Sequence, residues 1–286
     1  MRESDAKAID LRLSGIFIHP VKSCAAVALY EAQVENLGLA HDRRWMLVEA
    51  GSGKFITGRE SPELVLLKAT ITANGALEIS AASPRTLAPR TVIVSSNQRQ
   101  VRVWDDDVLA ALADADTNLA LSSWLGRSVE LVHFDACSQR LLDQKYAQAA
   151  DQTAFSDGYP ILLISQASLD ALNARIVATP PGLNQPITMQ RFRPNLVIGG
   201  AIAAHSEDSW QRVQIGAALF DVVKPCIRCV FTTVDPDLGA RDPSGEPLHT
   251  LKNYRRTPKG ISFGMNLIPR NPGVKIRVGD VLRVLV

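Results

Sequence analysis

Val213-Gln214-Ile215-Gly216-Ala217-Ala218-Leu219-Phe220-Asp221-Val222 and Ile276-Arg277-Val278-Gly279-Asp280-Val281-Leu282-Arg283-Val284 share one pattern. Apolar residues alternate, a glycine interrupts, and the alternation resumes. A period of two marks a strand with one buried face, and a glycine between two such runs marks a tight turn. The pattern predicts a hairpin of residues 210–215 with 217–224 about Gly216, and another of 275–278 with 281–286 about Gly279-Asp280. The unit is too short to be a solenoid repeat.

The chain on either side reads the same way. Further strands are expected over 13–19, 44–49, 64–71, 91–95, 101–104, 194–199, 229–234 and 262–268, separated by turn residues at 51–53, 73–75, 96–97 and 235–239. Asn74-Gly75 is a hairpin signal. Two helices stand out. One is capped by Asp116 or Thr117, with an earlier start near Val108 left open by its period, and ends at Gly126; the other is capped by Ser165, with Leu169, Leu172 and Ile176 on one face. Residues 139–152 read as a connector and 179–186 as a loop. The fold class is mainly β (α+β): two β-barrel-type domains with a few helices and a cleft between them, divided at 11–135 and 136–286.

The composition belongs to an ordinary globular chain: 286 residues, 46% hydrophobic and 21% charged. Lys+Arg 31 against Asp+Glu 29 leaves +2, which excludes a general nucleic-acid coat but allows a local basic pocket. No apolar run reaches the roughly 18 residues of a membrane span. The opening Met-Arg-Glu-Ser-Asp-Ala-Lys lacks an apolar stretch after its charges, so no secretory signal is expected and the cytoplasm is the expected location. Four cysteines, Cys24, Cys137, Cys226 and Cys229, do not make a disulfide framework. No dinucleotide or Walker glycine loop follows a strand.

The richest chemistry lies in Lys224-Pro225-Cys226-Ile227-Arg228-Cys229-Val230-Phe231-Thr232-Thr233-Val234-Asp235-Pro236. Its Cys-x-x-Cys has three readings. Half of a zinc site requires a second ligand pair, and neither the other cysteines nor the five histidines show one. A redox dithiol requires a strand-to-helix context, whereas Val-Phe-Thr-Thr-Val follows here. In the third reading a continuous strand places Cys226 and Cys229 on opposite faces. One is then core and the other meets a pocket, with Arg228 favouring the Cys229 thiolate that a soft metal takes as ligand. From the residues alone, both also serve as small core hydrophobes.

This run, with Leu248-His249-Thr250-Leu251-Lys252-Asn253-Tyr254 and Phe263-Gly264-Met265-Asn266-Leu267, resembles the MOSC domain. The N-terminal half resembles the MOSC N-terminal β-barrel domain, through His19-Pro20-Val21-Lys22-Ser23-Cys24, Gly38-Leu39 and Asp42-Arg43-Arg44-Trp45-Met46-Leu47-Val48. Phe192-Arg193-Pro194-Asn195 and Glu207-Asp208-Ser209-Trp210 extend the match. Within that family the chain resembles the mitochondrial amidoxime-reducing component and its bacterial counterparts.

The resemblance implies a molybdenum cofactor, the metal on a molybdopterin, and an activity independent of pyridoxal phosphate. It implies Cys229 as metal ligand and catalytic residue. It implies Lys22, Ser23, Arg43, Ser156, Asp157, Arg193, Asn195, Arg228 and Asn266 as cofactor-binding residues. The chemistry suits them: lysine and arginine meet a phosphate, and asparagine both donates and accepts. The implied reaction is reduction of N-hydroxylated compounds such as amidoximes, hydroxylamines or N-hydroxylated bases. Electrons come from a separate ferredoxin, flavoprotein or cytochrome, because no iron–sulfur or c-type haem motif is present. The other implied class is a carrier of cofactor or sulfur, with a persulfide on Cys229 and no turnover. His19 is expected to be structural, and Trp104, Trp124 and Trp210 to be core.

Overall fold

The computed structural model describes residues 11–82, 84–178 and 185–285. The loop expected over 179–186 therefore lies mostly outside the described residues. Seven strands close into a barrel: β1 (Leu11–Ile18), β2 (Ile161–Ser165), β3 (Leu196–Gly199), β4 (Arg212–Ile215), β5 (Ala218–Ile227), β6 (Gly260–Pro269) and β7 (Val281–Val284). Around the ring they run β2-β3-β1-β7-β4-β5-β6, and β6 pairs back with β2. Closure leaves no strand edge within the ring. Alternate residues such as Leu13, Leu163, Ile198, Val213, Ile215, Phe220, Leu267 and Leu282 fill its core.

β2 and β3 are parallel, so a crossover must join them. Helix α2 (Gln166–Ala178) lies on that crossover, and its Leu169, Leu172 and Ile176 cover Leu162 and Ile164 of β2. That is why all five residues of β2 are buried. Ser165 caps α2 as expected, its Oγ accepting the Ser168 amide at 3.1 Å.

The N-terminal half stacks two sheets. Trp45–Glu49, Val94–Val103, Asp106–Ala113 and Val129–His133 form one, and Lys68–Ile71, Leu77–Ala81 and Leu87–Thr91 the other. Trp45 and Leu47 point into the core shared with the second sheet and helix α1 (Ala115–Leu125), while Met46 and Val48 point into a separate core with Phe134 and Phe155. The Asn74-Gly75 hairpin forms, pairing Ile71 with Leu77. The halves are not independent chains of strands. β1 lies between β3 and β7, and Glu31–Glu35 pairs with Lys275–Arg277.

Five expectations are corrected, the first being the turn at 96–97, which lies inside the strand Val94–Val103. The hairpin about Gly216 forms, but residues 275–278 and 281–286 do not pair with each other. Lys275–Arg277 joins Glu31–Glu35, whereas β7 runs between β1 and β4. Leu13 decides this by exchanging backbone bonds with Gly279 and Asp280 in the turn itself. Helix α1 uses neither start, the cap at Asp116 or Thr117 or the one near Val108, because Asp114 caps it by accepting the Thr117 amide at 2.8 Å; it ends at the left-handed Gly126 as read. The run 64–71 divides into a 3-10 turn, Pro62–Leu66, and a strand, Lys68–Ile71. The strand expected over 229–234 is a 3-10 helix at Val230–Thr233. Both Thr232 and Thr233 turn their hydroxyls back onto carbonyls three residues earlier, competing with strand pairing.

Gly264 sits within β6 at φ +80°, and a Cβ there would lie 2.6 Å from Ile164 Cγ1 and 2.9 Å from the Leu163 carbonyl oxygen. Gly264→Ala is expected to destabilise the barrel by about 1–3 kcal/mol or more. Urea unfolding checks this as a lowered midpoint at unchanged slope.

Candidate functional site

A cleft lies where the N-terminal loops meet the rim of the barrel. Its walls are four short segments: residues 22–23 and 43 after β1, the loop 57–59, the approach to β2 at 156–159, and 191–195 before β3. The end of β5 and Asn266 of β6 complete it. Three of the lining residues, Ser23, Arg43 and Arg193, hold left-handed backbones at φ 68°, 49° and 55°. Non-glycine residues persist there only where their surroundings over-determine them.

The surroundings do so. Asp42 is buried, accepting the His19 amide at 2.7 Å and the Arg43 Nη1 at 2.5 Å. Burial works to raise the Asp42 pKa, but Arg43 and His19 hold its carboxyl well below the usual range. Arg43 also donates to Asn195 Oδ1 and to the Arg193 carbonyl, both at 3.2 Å. Asn195 in turn accepts the Leu162 amide at 3.1 Å and donates to the Phe17 carbonyl at 3.1 Å. Its amide therefore ties β1, β2 and Arg43 together. His19 is fully buried, and burial, then Arg193 and Arg43, push its pKa well down, leaving it neutral.

Six cations face the cleft, Lys22, Arg43, Arg59, Arg191, Arg193 and Arg228, against one carboxylate, Asp157. Arg191 is spent on Asp235 and Asp242 at 3.0 and 3.2 Å. Lys22 is buried and donates to the Phe155 carbonyl and to Asp157, each at 2.6 Å. Burial outweighs Asp157 and brings the Lys22 pKa down to about 8. Asp157 is open to the cavity; its surroundings work to raise its pKa, and the Lys22 charge more than reverses this. Arg193 donates to the Cys24 carbonyl at 2.6 Å, and burial followed by the Arg43 charge presses its pKa down to about 9. Arg193 Nη2, Arg228 Nε and Thr57 Oγ1 are buried on this cleft without a hydrogen-bond partner. Unmatched charge and unmatched donors together describe a receptor for a polar anion.

The two cysteines are distinguished, though not by the expected geometry. β5 ends at Ile227, so no continuous strand carries both. Cys226, on β5, lines the cleft and accepts Arg228 Nη1 at 2.9 Å. Arg228 thus serves Cys226, and its Nη2 reaches the Phe192 carbonyl at 2.7 Å. Cys229 opens the 3-10 helix, half-buried, and takes its cation from the other half of the molecule. Arg59 Nε donates to its Sγ at 3.2 Å. Among the described residues no group of three or more His, Cys, Asp or Glu side chains gathers for a metal.

Every residue expected to bind cofactor lines this one cleft: Lys22, Ser23, Arg43, Ser156, Asp157, Arg193, Asn195, Arg228 and Asn266. Cys229 reaches it through Arg59. The sequence reading missed Thr57, Arg59 and Phe231. Arg59 lies 4.4 Å above the Trp104 ring, and its loop is seated by Gly58, where a Cβ would fall 2.2 Å from the Phe231 ring. Nothing in the spacing of Thr57-Gly58-Arg59 marks that contact.

The fold and the cleft define a β-barrel protein built to hold an anionic ligand beside a cysteine. Residues 10–130 match the MOSC N-terminal beta barrel domain and residues 150–283 the MOSC domain. The chain is 35% identical to mitochondrial amidoxime-reducing component 1 of Mus musculus, covering 94% of this chain and 81% of that protein. It is 33% identical to the Homo sapiens protein of the same name, covering 94% and 82%. It is 31% identical to molybdenum cofactor sulfurase of Oryza sativa subsp. japonica, covering 92% of this chain and 33% of that one. The chain belongs to the MOSC family.

Anion binding in the cleft is expected to depend on Lys22 in its charged form. Lys22 carries its proton below about pH 8 and loses it above, so affinity for inorganic phosphate falls as pH rises through that region. A bound anion raises the Lys22 pKa and moves the fall upward. Calorimetric titrations between pH 6 and 10 check this, and Lys22→Ala removes the component near pH 8 while leaving the one that Arg193 contributes near 9. At pH 7 Lys22→Ala or Arg193→Ala costs about 1.5–3 kcal/mol, roughly ten- to hundredfold in affinity.

Proposed function

We propose that this chain binds the molybdenum cofactor in the cleft and reduces N-hydroxylated compounds such as amidoximes and hydroxylamines. The reading is carried by one observation: buried, unpartnered donors on Arg193, Arg228 and Thr57 lie in a cation-rich cleft beside Cys229. A pterin bearing a phosphate supplies the acceptors and negative charge that this donor set lacks. The names of the curated relatives support the reaction class.

In this reading Cys229 is the protein's ligand to molybdenum, and Arg59 orients its sulfur from the opposite wall. Lys22, Ser23, Arg43 and Arg193 hold the phosphate end, while Arg228, Ser156, Asp157 and Asn266 flank the ring system. Asn195 acts through Arg43, because its own amide is already engaged. Leu162, Phe192 and Phe231 keep part of the wall apolar. Bound, the cofactor supplies the two-electron redox chemistry, which belongs to it rather than to the polypeptide. Reduction of an N–OH group consumes two electrons and two protons and releases water. The electrons come from a separate redox protein. The four free thiols support a reducing compartment, for which the cytoplasm is the proposal, and among the described residues no helix is long and apolar enough to cross a membrane.

Elemental analysis together with turnover of an aryl amidoxime driven by reduced viologen tests this. Stoichiometric molybdenum and amidine formation are expected in the native chain. Cys229→Ser is expected to lose turnover, while Cys226→Ser, whose sulfur is engaged by Arg228, retains most of it. Equal loss in both variants with intact circular dichroism overturns the assignment. A persulfide on Cys229 without metal replaces the reductase by a sulfur carrier.

A further inference from the structure

We propose that the surface beside Cys229 is a docking site for an acidic one-electron carrier protein. The proposal rests on the reductase reading for its purpose, but its geometry stands apart from the cleft. Ile227 and Val230, on either side of Arg228-Cys229, expose 38% and 36% of their surface, and Pro225 is exposed as well. In β5, the flanking Val222 and Lys224 are by contrast partly covered. Apolar residues therefore come to the surface where the chain leaves the barrel to present Cys229.

Cations adjoin this apolar spot. Gly260 abuts Ile227, leaving only 2.7 Å between its Cβ position and Ile227 Cγ2. The preceding Lys259 donates to the Tyr146 hydroxyl at 2.6 Å. Lys224, Lys259 and Lys145 all stand over the Tyr146 ring, at 5.2, 5.3 and 5.6 Å. On the other side, exposed Arg241 binds the Arg59 carbonyl. Asp143 is the carboxylate nearest in sequence to the lysines, while Asp242, next to Arg241, pairs with Arg191, so the excess of positive charge lies on the lysine side. Three lysines held around one tyrosine, beside an apolar centre, reproduce on a small scale the apolar core and charged rim of a transient interface. Electron-transfer encounters are small, below about 1,200 Å², and gain rate and orientation from opposite charge. Because this rim is cationic, the partner is acidic. Two such encounters, each oxidising one carrier by one electron, balance one N–OH reduction.

The test uses pre-reduced plant-type ferredoxin as acidic carrier, a basic c-type cytochrome as control, and reduced viologen as a donor that needs no docking. Lys145→Glu/Lys259→Glu changes two exposed lysines outside the cleft. It is expected to weaken ferredoxin binding to the cofactor-free chain, and to raise the ferredoxin concentration needed for half-maximal turnover, about tenfold or more. Lys145→Gln/Lys259→Gln gives a smaller loss in the same direction. Viologen-driven turnover stays unchanged, added salt erodes the native but not the reversed pair's ferredoxin binding, and cytochrome binding strengthens in the reversed variant. Ferredoxin binding and turnover insensitive to both charge reversal and salt overturn the proposal. Loss of viologen turnover in the native chain would instead sink the reductase reading, while the binding titration still reports on the docking surface.

Discussion

Asp42 anchors the arrangement on which the cleft depends. It is a carboxylate with 1% exposure, placed under a group of cations rather than among them. One oxygen takes the His19 amide and the other takes Arg43. Arg43 passes the constraint to Asn195 and the Arg193 carbonyl, and Asn195 passes it to β1 and β2. Backbone bonds reinforce the chain of contacts: Arg43 to His19, Lys22 to Trp45, and Phe155 to Arg43. The segments that carry Lys22, Arg43, Ser156 and Arg193 are thereby held in one frame. Breaking a buried pair of this kind on one side costs about 3–5 kcal/mol, because the remaining charge is left uncompensated.

That frame holds cations closer together than stability alone would select. Lys22 ionises at about 8 in place of 10.5. A depressed lysine pKa means that the folded state resists the proton, so at neutral pH the charged Lys22 opposes folding by about 3 kcal/mol. This deficit is present below pH 8 and is relieved as pH rises from there toward 10.5. Arg193 is pressed in the same direction by burial and by Arg43. Strained backbones at Ser23, Arg43 and Arg193 add to the cost. Residues that destabilise a fold while converging on one cleft are the mark of a binding site. An anion bound there satisfies charge and donors together.

Strand identity was legible in the sequence wherever one face meets a core, because alternation reports burial directly. Leu13, Leu47, Val213 and Phe220 illustrate this. Strand partnership was not legible. Residues 275–278 and 281–286 carry a hairpin signature, yet their neighbours are Glu31–Glu35, β1 and β4. A local pattern encodes a turn and a buried face, and it contains no term for which distant edge is free. Lys22, Ser23, Arg43, Arg193, Asn195, Arg228 and Asn266 lie in short segments that resemble family motifs and that meet at the cleft, whereas Ser156 and Asp157 lie outside those motifs. Arg59 was not legible, because its meaning depends on a contact with Cys229 across 170 positions. The asymmetry of Cys226 and Cys229 was inferred from strand alternation, but it arises from the end of β5 and from two different arginines.

Arg59 and Lys22 also show why the site belongs to the whole chain. The loop carrying Arg59 is packed on Phe231 through Gly58, and the Arg193 guanidinium lies 5.4 Å from the centroid of the same ring. Lys22 follows β1, which is hydrogen-bonded on one side to β3 and on the other to β7 near the C-terminus. Pairing of Glu31–Glu35 with Lys275–Arg277 closes the ends together. Neither the cation cluster nor the Cys229 environment exists until these long-range pairings form. Such pairings are entropically late in folding. The cleft is therefore complete only when the barrel is, and a ligand that bridged its walls would stabilise the closed assembly by mass action.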